Sequence, residues 1–301
     1  MTAPPPPYTP LRSWLFTPGN HPHKVEKVFN VGADALILDL EDAVAIEQKA
    51  ATRIAVVDAL KLRPERESKG YIRVNSIDTA FCHDDLVAVV GPWLDGIVLP
   101  KVESAGQLQT IDWLVSALER NHGMIPGSTD ILPIVETGKG LAEIDSIARS
   151  DTRIRRLSFG AGDFTNDMGM IWTPEENELY HARSAIALAS RAARLEPPVD
   201  TVFINLQDGK HLKKSAETAL ALGYRGKLCI HPSQIQPVNE IFTPSEKEVA
   251  RARNQVEAFE AAEAKGSASI QVDGYFVDYP IYEKAKRTLA LVAAIEAKPQ
   301  Q

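Results

Sequence analysis

Eight times along this chain a short apolar run of strand length is followed by a segment with helical periodicity. The runs fall at residues 13–17, 35–40, 71–75, 96–100, 131–135, 156–159, 201–205 and 227–230. Continuous apolar runs suit parallel strands covered on both faces, whereas half-exposed strands alternate. Between them, Leu108, Ile111, Leu114, Val115 and Leu118 share one helix face. An earlier helix has Asn20 as its N-cap and Pro22 in the first turn, and stops near Gly32. Eight successive βα units predict a (β/α)8 TIM barrel over residues 11–240. An open, doubly wound sheet is the second choice, but no dinucleotide glycine fingerprint follows the first run.

The pattern changes after about residue 240. Ser245 and Glu248 have capping-box spacing, and Val249, Val256 and Phe259 mark an amphipathic helix running to about Gly266. Two short runs at 270–272 and 275–277 flank Asp273-Gly274, a two-residue hairpin signal. A last helix is expected over 281–297. Residues 241–301 are thus predicted to form a helix–hairpin–helix appendage, serving as a lid or oligomerisation segment. Residues 1–10, with a proline run from Pro4 to Pro7, are expected to be a disordered tail.

Composition excludes several classes of function. The net charge is -7 and no basic stripe is present, which disfavours a nucleic-acid partner. No apolar run reaches the roughly 18 residues of a membrane helix. The N-terminus has neither the basic start nor the apolar stretch of a secretory signal. The only two cysteines, Cys82 and Cys229, are far apart and in no metal-like spacing. They suggest a reducing compartment, and a cytoplasmic location is expected.

A barrel of this kind places its chemistry at the C-terminal ends of its strands. The second run ends in Asp39-Leu40-Glu41-Asp42, the third carries Arg73 and Asn75, and the fourth is followed by Lys101. The fifth is followed by Glu136, the sixth by Gly160-Ala161-Gly162-Asp163, and the eighth by His231. Glu136 and Asp163 suit magnesium, which prefers oxygen ligands and keeps several waters. The alternatives are a solvated loop carboxylate for Glu136 and a turn former or N-cap for Asp163. Glycines such as Gly162 beside Asp163 would admit a substrate close to the backbone. Arg73 lies within an apolar run and should meet an anion, either a substrate carboxylate or Glu41 or Asp42. Glu41 and Asp42 could instead be a helix N-terminal charge pair. Lys101 and His231 could contact an anionic substrate or be structural, and a Schiff-base aldolase through Lys101 stays open.

These residues sit in stretches that resemble the HpcH/HpaI aldolase/citrate lyase family, in particular citrate lyase β subunits and malyl-CoA or citramalyl-CoA lyases. The matching stretches include Phe16 to Gly19, Leu38 to Val44, Arg73 to Asn75, Leu99 to Glu103 and Val135 to Thr137. Others are Phe159 to Phe164, Lys227 to Gln234, Phe242 to Pro244 and Val272 to Asp278. The resemblance implies Mg2+ on Glu136 and Asp163 and a substrate carboxylate on Arg73. It implies coenzyme A contacts from Phe16, Lys27, Ile230 and His231, and Asp278 as an acid/base that often reaches a neighbouring subunit. It also implies a homo-oligomer, trimer or hexamer. Two departures stand out: His21 replaces a basic residue that contacts coenzyme A in some malyl-CoA lyases, and one branch's insertion after Met170 is missing.

The expected activity is Mg-dependent, reversible cleavage of a citramalyl-CoA or malyl-CoA thioester to acetyl-CoA and pyruvate or glyoxylate. Alternatives are a citryl lyase acting on a carrier-bound or CoA thioester, a malyl-CoA thioesterase, and a non-enzymatic assembly subunit.

Overall fold

The computed structural model describes residues 10–297, so the proline-rich tail falls outside the described residues except for Pro10. The chain divides into two compact units. One is Leu11–Asn239, and the other begins at Glu240.

The first unit is a closed parallel barrel whose eight strands pair in sequence order. The strands are β1 (Ser13–Pro18), β2 (Ala35–Asp39), β3 (Lys69–Arg73), β4 (Gly96–Leu99), β5 (Asp130–Val135), β6 (Ser158–Phe159), β7 (Val199–Asp200) and β8 (Gly226–Cys229). Pairing of β1 with β8 closes the ring. Side chains alternate across a strand, so every second residue faces the barrel interior. Trp14, Ala35, Ile37, Tyr71, Val98, Leu132, Ile134 and Leu228 form one buried cluster, with Phe16 packed against it. Trp14 and Tyr71 meet edge to face at 4.8 Å.

The same alternation continues upward from this apolar plug. Ile37 is followed two residues later by Asp39, Tyr71 by Arg73, and Ile134 by Glu136. One inward-facing row therefore changes from apolar to ionisable at the C-terminal rim.

The seventh strand differs from the expected 201–205. The ladder lies at Val199–Asp200, immediately after Pro197-Pro198. Beyond it side chains replace ladder partners: Thr201 Oγ1 accepts from the Ala161 N–H, and the Phe203 carbonyl accepts from Gln234 Nε2.

In the second unit the helix Glu246–Glu263 begins at Ser245 with a complete capping box. β9 (Ser269–Val272) and β10 (Tyr275–Asp278) pair antiparallel. Asp273 and Gly274 both have positive φ, as a two-residue hairpin turn requires. The helix Tyr279–Glu296 follows directly, starting two residues earlier than expected. Phe259, Val277 and Tyr282 form the small core, with Phe259 and Tyr282 stacked at 4.8 Å.

Candidate active site

Asp39 and Arg73 are register partners on neighbouring strands. Arg73 Nε donates to Asp39 Oδ1 and Nη2 to Oδ2, both at 2.7 Å. Asp39 also accepts from the backbone N–H groups of Glu41 and Ala43. Burial raises the Asp39 pKa, but the guanidinium and these donors outweigh it and hold the carboxyl below its usual range. Burial likewise opposes the charge on Arg73, and Asp39 more than restores it.

Arg73 Nη1 lies 2.8 Å from Glu41 Oε2, an oxygen that is buried without a well-directed donor. The other Glu41 oxygen accepts from Lys101 Nζ at 2.7 Å. Asp42 is more exposed, 3.6 Å from Arg73 and 3.8 Å from Lys101. The sequence left Arg73 a choice between a substrate carboxylate and the acidic pair after β2. In the structure the guanidinium is held by protein carboxylates, and its main partner is Asp39, which strand position alone did not single out. Phe16 packs beside it, with its ring centroid 4.9 Å from the guanidinium carbon.

Lys101 follows β4 with a left-handed backbone, φ 52. Its N–H donates to Glu136 Oε1 at 2.8 Å. Its ammonium is 4.0 Å from Asp163 Oδ1. Burial lowers the Lys101 pKa, but its bond to Glu41 and the nearby acids raise it overall. The geometry disfavours the aldolase reading of Lys101, since its ammonium is tied to Glu41 Oε1 at 2.7 Å and faces Asp163 at 4.0 Å.

Glu136 is buried at the end of β5. Burial first, and then repulsion from Asp163, push its carboxyl up to about 8, against the pull of Arg73. Asp163 stands in the first turn of the helix Ala161–Asp167, half exposed. Thr201 anchors the start of that helix through the Ala161 N–H at 2.8 Å. Gly160 makes room for Glu136. A Cβ there would lie 2.8 Å from both Glu136 Cβ and Ile134 Cγ2, and closer still to Glu136 Oε2. Gly162 has no such neighbour, its nearest atom being Trp172 Cζ3 at 3.8 Å.

The structure thus brings Arg73, Lys101, Glu136, Asp163 and the acids after β2 to one rim. Five carboxylates (Asp39, Glu41, Asp42, Glu136 and Asp163) face two cations, Arg73 and Lys101. That imbalance, the burial and the Asp163 repulsion that raise the Glu136 pKa, and the undirected Glu41 Oε2 fit a bound divalent cation. Among the described residues no cluster of three or more His, Cys, Asp or Glu is arranged as a metal cage. Magnesium needs none, since one or two carboxylates and water complete its octahedron.

The other candidate residues lie elsewhere. Ile230 and His231 follow β8, next in the barrel to the strand carrying Phe16. The Ile230 N–H donates to Gln234 Oε1, and His231 Nδ1 is 2.8 Å from Ser233 Oγ. Lys27 is exposed on the helix Pro22–Val28. Asp278 lies in the second unit, where Oδ1 accepts from the Ile281 N–H at 3.3 Å and caps the last helix.

The model of the HpcH/HpaI aldolase/citrate lyase family matches residues 12–232, nearly the whole barrel. The chain belongs to this family. It is 36% identical over 283 residues to citrate lyase subunit beta of Leuconostoc mesenteroides subsp. cremoris, covering 94% of this chain and 93% of the relative. It is also 36% identical over 304 residues to an L-malyl-CoA/beta-methylmalyl-CoA lyase of Cereibacter sphaeroides, covering 94% and 95%. Among solved structures it matches protein CitE of Mycobacterium tuberculosis in complex with magnesium, acetoacetate and coenzyme A. The TM-score is 0.74 at 30% identity, over 94% of this chain and 98% of that one. Both curated relatives are lyases, and so is this family member. No helix among the described residues is long and apolar enough to cross a membrane.

Proposed function

We propose that this lyase cleaves a 3-hydroxyacyl-CoA thioester, citramalyl-CoA or malyl-CoA, reversibly to acetyl-CoA and pyruvate or glyoxylate, with Mg2+ on Glu136 and Asp163. The observation that carries this reading is the surplus of carboxylates around Arg73 and Lys101, which calls for a cation before it can accept an anionic substrate. Malyl-CoA lyase activity in one close relative, and magnesium with coenzyme A in one solved neighbour, support it.

A magnesium ion held by Glu136 and Asp163 would supply Lewis-acid polarisation to the bound substrate. Arg73, oriented by Asp39, offers its remaining N–H groups to the substrate carboxylate. Once the substrate hydroxyl gives its proton to water, its oxygen becomes the carbonyl of the keto acid and the adjacent carbon–carbon bond breaks, and one proton returns at the enolate carbon to close the balance. The electron pair passes into the thioester as an acetyl-CoA enolate. Asp278 protonates that enolate, or removes the same proton in the condensation direction. Phe16, Lys27, Ile230 and His231 hold coenzyme A, and Gly162 lets the substrate approach the backbone. The protein acts in the cytoplasm as a homo-oligomer, trimer or hexamer.

Two neighbouring reactions would use the same groups, citryl thioester cleavage and malyl-CoA hydrolysis; one relative is a citrate lyase subunit beta. Separate assay of acetyl-CoA, keto acid and free coenzyme A tells them apart. In that assay Asp163→Ala removes Mg-dependent turnover while the melting temperature stays near that of the parent. Full activity in Asp163→Ala rules the metal assignment out.

A further inference from the structure

Behind Glu41 lies a buried polar cluster that no step above uses. Lys49 is 6% exposed, Asn75 3% and Asp85 0%. Lys49 Nζ donates to the carbonyls of Leu40 and Glu41 at 2.7 and 2.9 Å, and to Asn75 Oδ1 at 2.7 Å. All three ammonium hydrogens are therefore engaged. Asn75 Nδ2 donates to the same Leu40 carbonyl at 3.1 Å and to Asp85 Oδ2 at 2.6 Å. Asp85 Oδ2 also accepts from the Asn75 N–H, and Oδ1 accepts from Arg53 Nε at 2.6 Å.

One buried cation, Lys49, and the Asn75 amide thus converge on two consecutive carbonyls, with the buried Asp85 behind Asn75 and the half-buried Arg53 behind Asp85. Burying ions is poor value for stability, since an apolar cluster of the same volume does as well or better. What the arrangement does provide is a fixed backbone at Leu40–Glu41. From that backbone the Glu41 side chain reaches Arg73 and Lys101 at 2.8 and 2.7 Å. The loop is otherwise tied by Asp39, which takes the Glu41 and Ala43 N–H groups on the same segment.

We infer that Lys49, with Asn75, is a positioning residue of the lyase site, which acts by fixing Glu41 and so the orientation of Arg73 and Lys101. The inference rests on the lyase reading above, but its test separates the two. The variants are Lys49→Met, Asn75→Ser, Glu41→Gln and the double variant Lys49→Met/Glu41→Gln. Each is followed by thermal melting, by kcat and KM for thioester cleavage, and by calorimetric binding of pyruvate in the presence of magnesium. Each single variant is expected to lower kcat/KM by about 10–100-fold, the range seen when a supporting hydrogen-bond partner is removed. Asn75→Ser keeps Lys49 on both carbonyls and Asp85 on Arg53, so it reads the effect if Lys49→Met folds poorly. The double variant should be no worse than the weaker single one, because Lys49 has nothing left to position once Glu41 is neutral. Losses that multiply in the double variant, or a lower melting temperature with unchanged kcat, KM and pyruvate affinity, overturn the positioning role. An unsubstituted protein that cleaves none of the thioesters overturns the lyase reading and this inference with it.

Discussion

Asp39 and Arg73 meet across β2 and β3 in a two-pronged ion pair, each contact 2.7 Å, with the Asp39 side chain almost fully buried. Such a pair orients the guanidinium but contributes little net stability, because both ions were taken out of water. Removing one partner is another matter. Asp39→Ala is expected to cost about 3 kcal/mol, the low end for breaking a buried pair, because Glu41 still faces the guanidinium at 2.8 Å. Asp39→Leu with Arg73→Met should recover most of that loss and remain inactive. Urea unfolding of the parent and the two variants measures this. A double variant as unstable as Asp39→Ala would mean the pair is itself a main source of stability.

Glu136 makes stability depend on pH in the metal-free protein. Its folded pKa is about 8 against an ordinary 4.5, so between those values the folded state holds more protons than the unfolded chain. Stability therefore falls as pH rises through that window and levels off above about 8. Glu136→Gln removes this slope and is expected to raise the melting temperature most at the alkaline end. Melting curves in chelator across the window check it. A parent and a Glu136→Gln variant with parallel pH profiles would show that the carboxyl is not protonated there. Because protons and magnesium compete for the same oxygens, magnesium affinity should weaken as pH drops below about 8.

Gly160 and Gly162 flank Ala161 but meet different surroundings. Gly160→Ala drives a methyl into Glu136 and Ile134, an overpacking expected to cost about 1–3 kcal/mol and to weaken magnesium binding by displacing the carboxylate. Gly162→Ala meets only ordinary contact and should fold normally, so any loss of activity there reports substrate approach. Calorimetric titration with magnesium beside chemical denaturation separates the two. Equal effects of the two substitutions would remove the special placement of Gly160.

The barrel was legible because most of its strands are short, mainly apolar runs, and polar residues clustered at the ends of such runs gather at one rim. Glu136, Asp163 and Arg73 followed from that reasoning. Their partners did not. Whether Asp39 or Glu41 meets Arg73 depends on strand register, which no spacing along one strand encodes. Arg183, Asp200 and Lys227 form a second buried ionic cluster between β7, β8 and the helix Tyr180–Ala192. In the sequence they look like solvated surface charges, since nothing local reveals that each has an opposite charge waiting in another element. The signal for β7 was similarly hidden: two prolines and a buried aspartate do not read as a strand. The dual character of Asp278, helix cap by geometry and proton carrier by family likeness, is the clearest case of a role that local chemistry alone leaves open.

The most direct test offers the protein acetyl-CoA with pyruvate or glyoxylate, with magnesium or with chelator, and identifies the thioester by mass spectrometry. The expected result is a new CoA thioester heavier than acetyl-CoA by the mass of one keto acid, formed only with magnesium and lost in Asp163→Ala and Asp278→Asn. Release of free coenzyme A without a condensed thioester, or condensation that persists in chelator or in Asp163→Ala, would contradict a magnesium-dependent carbon–carbon lyase built on Glu136 and Asp163.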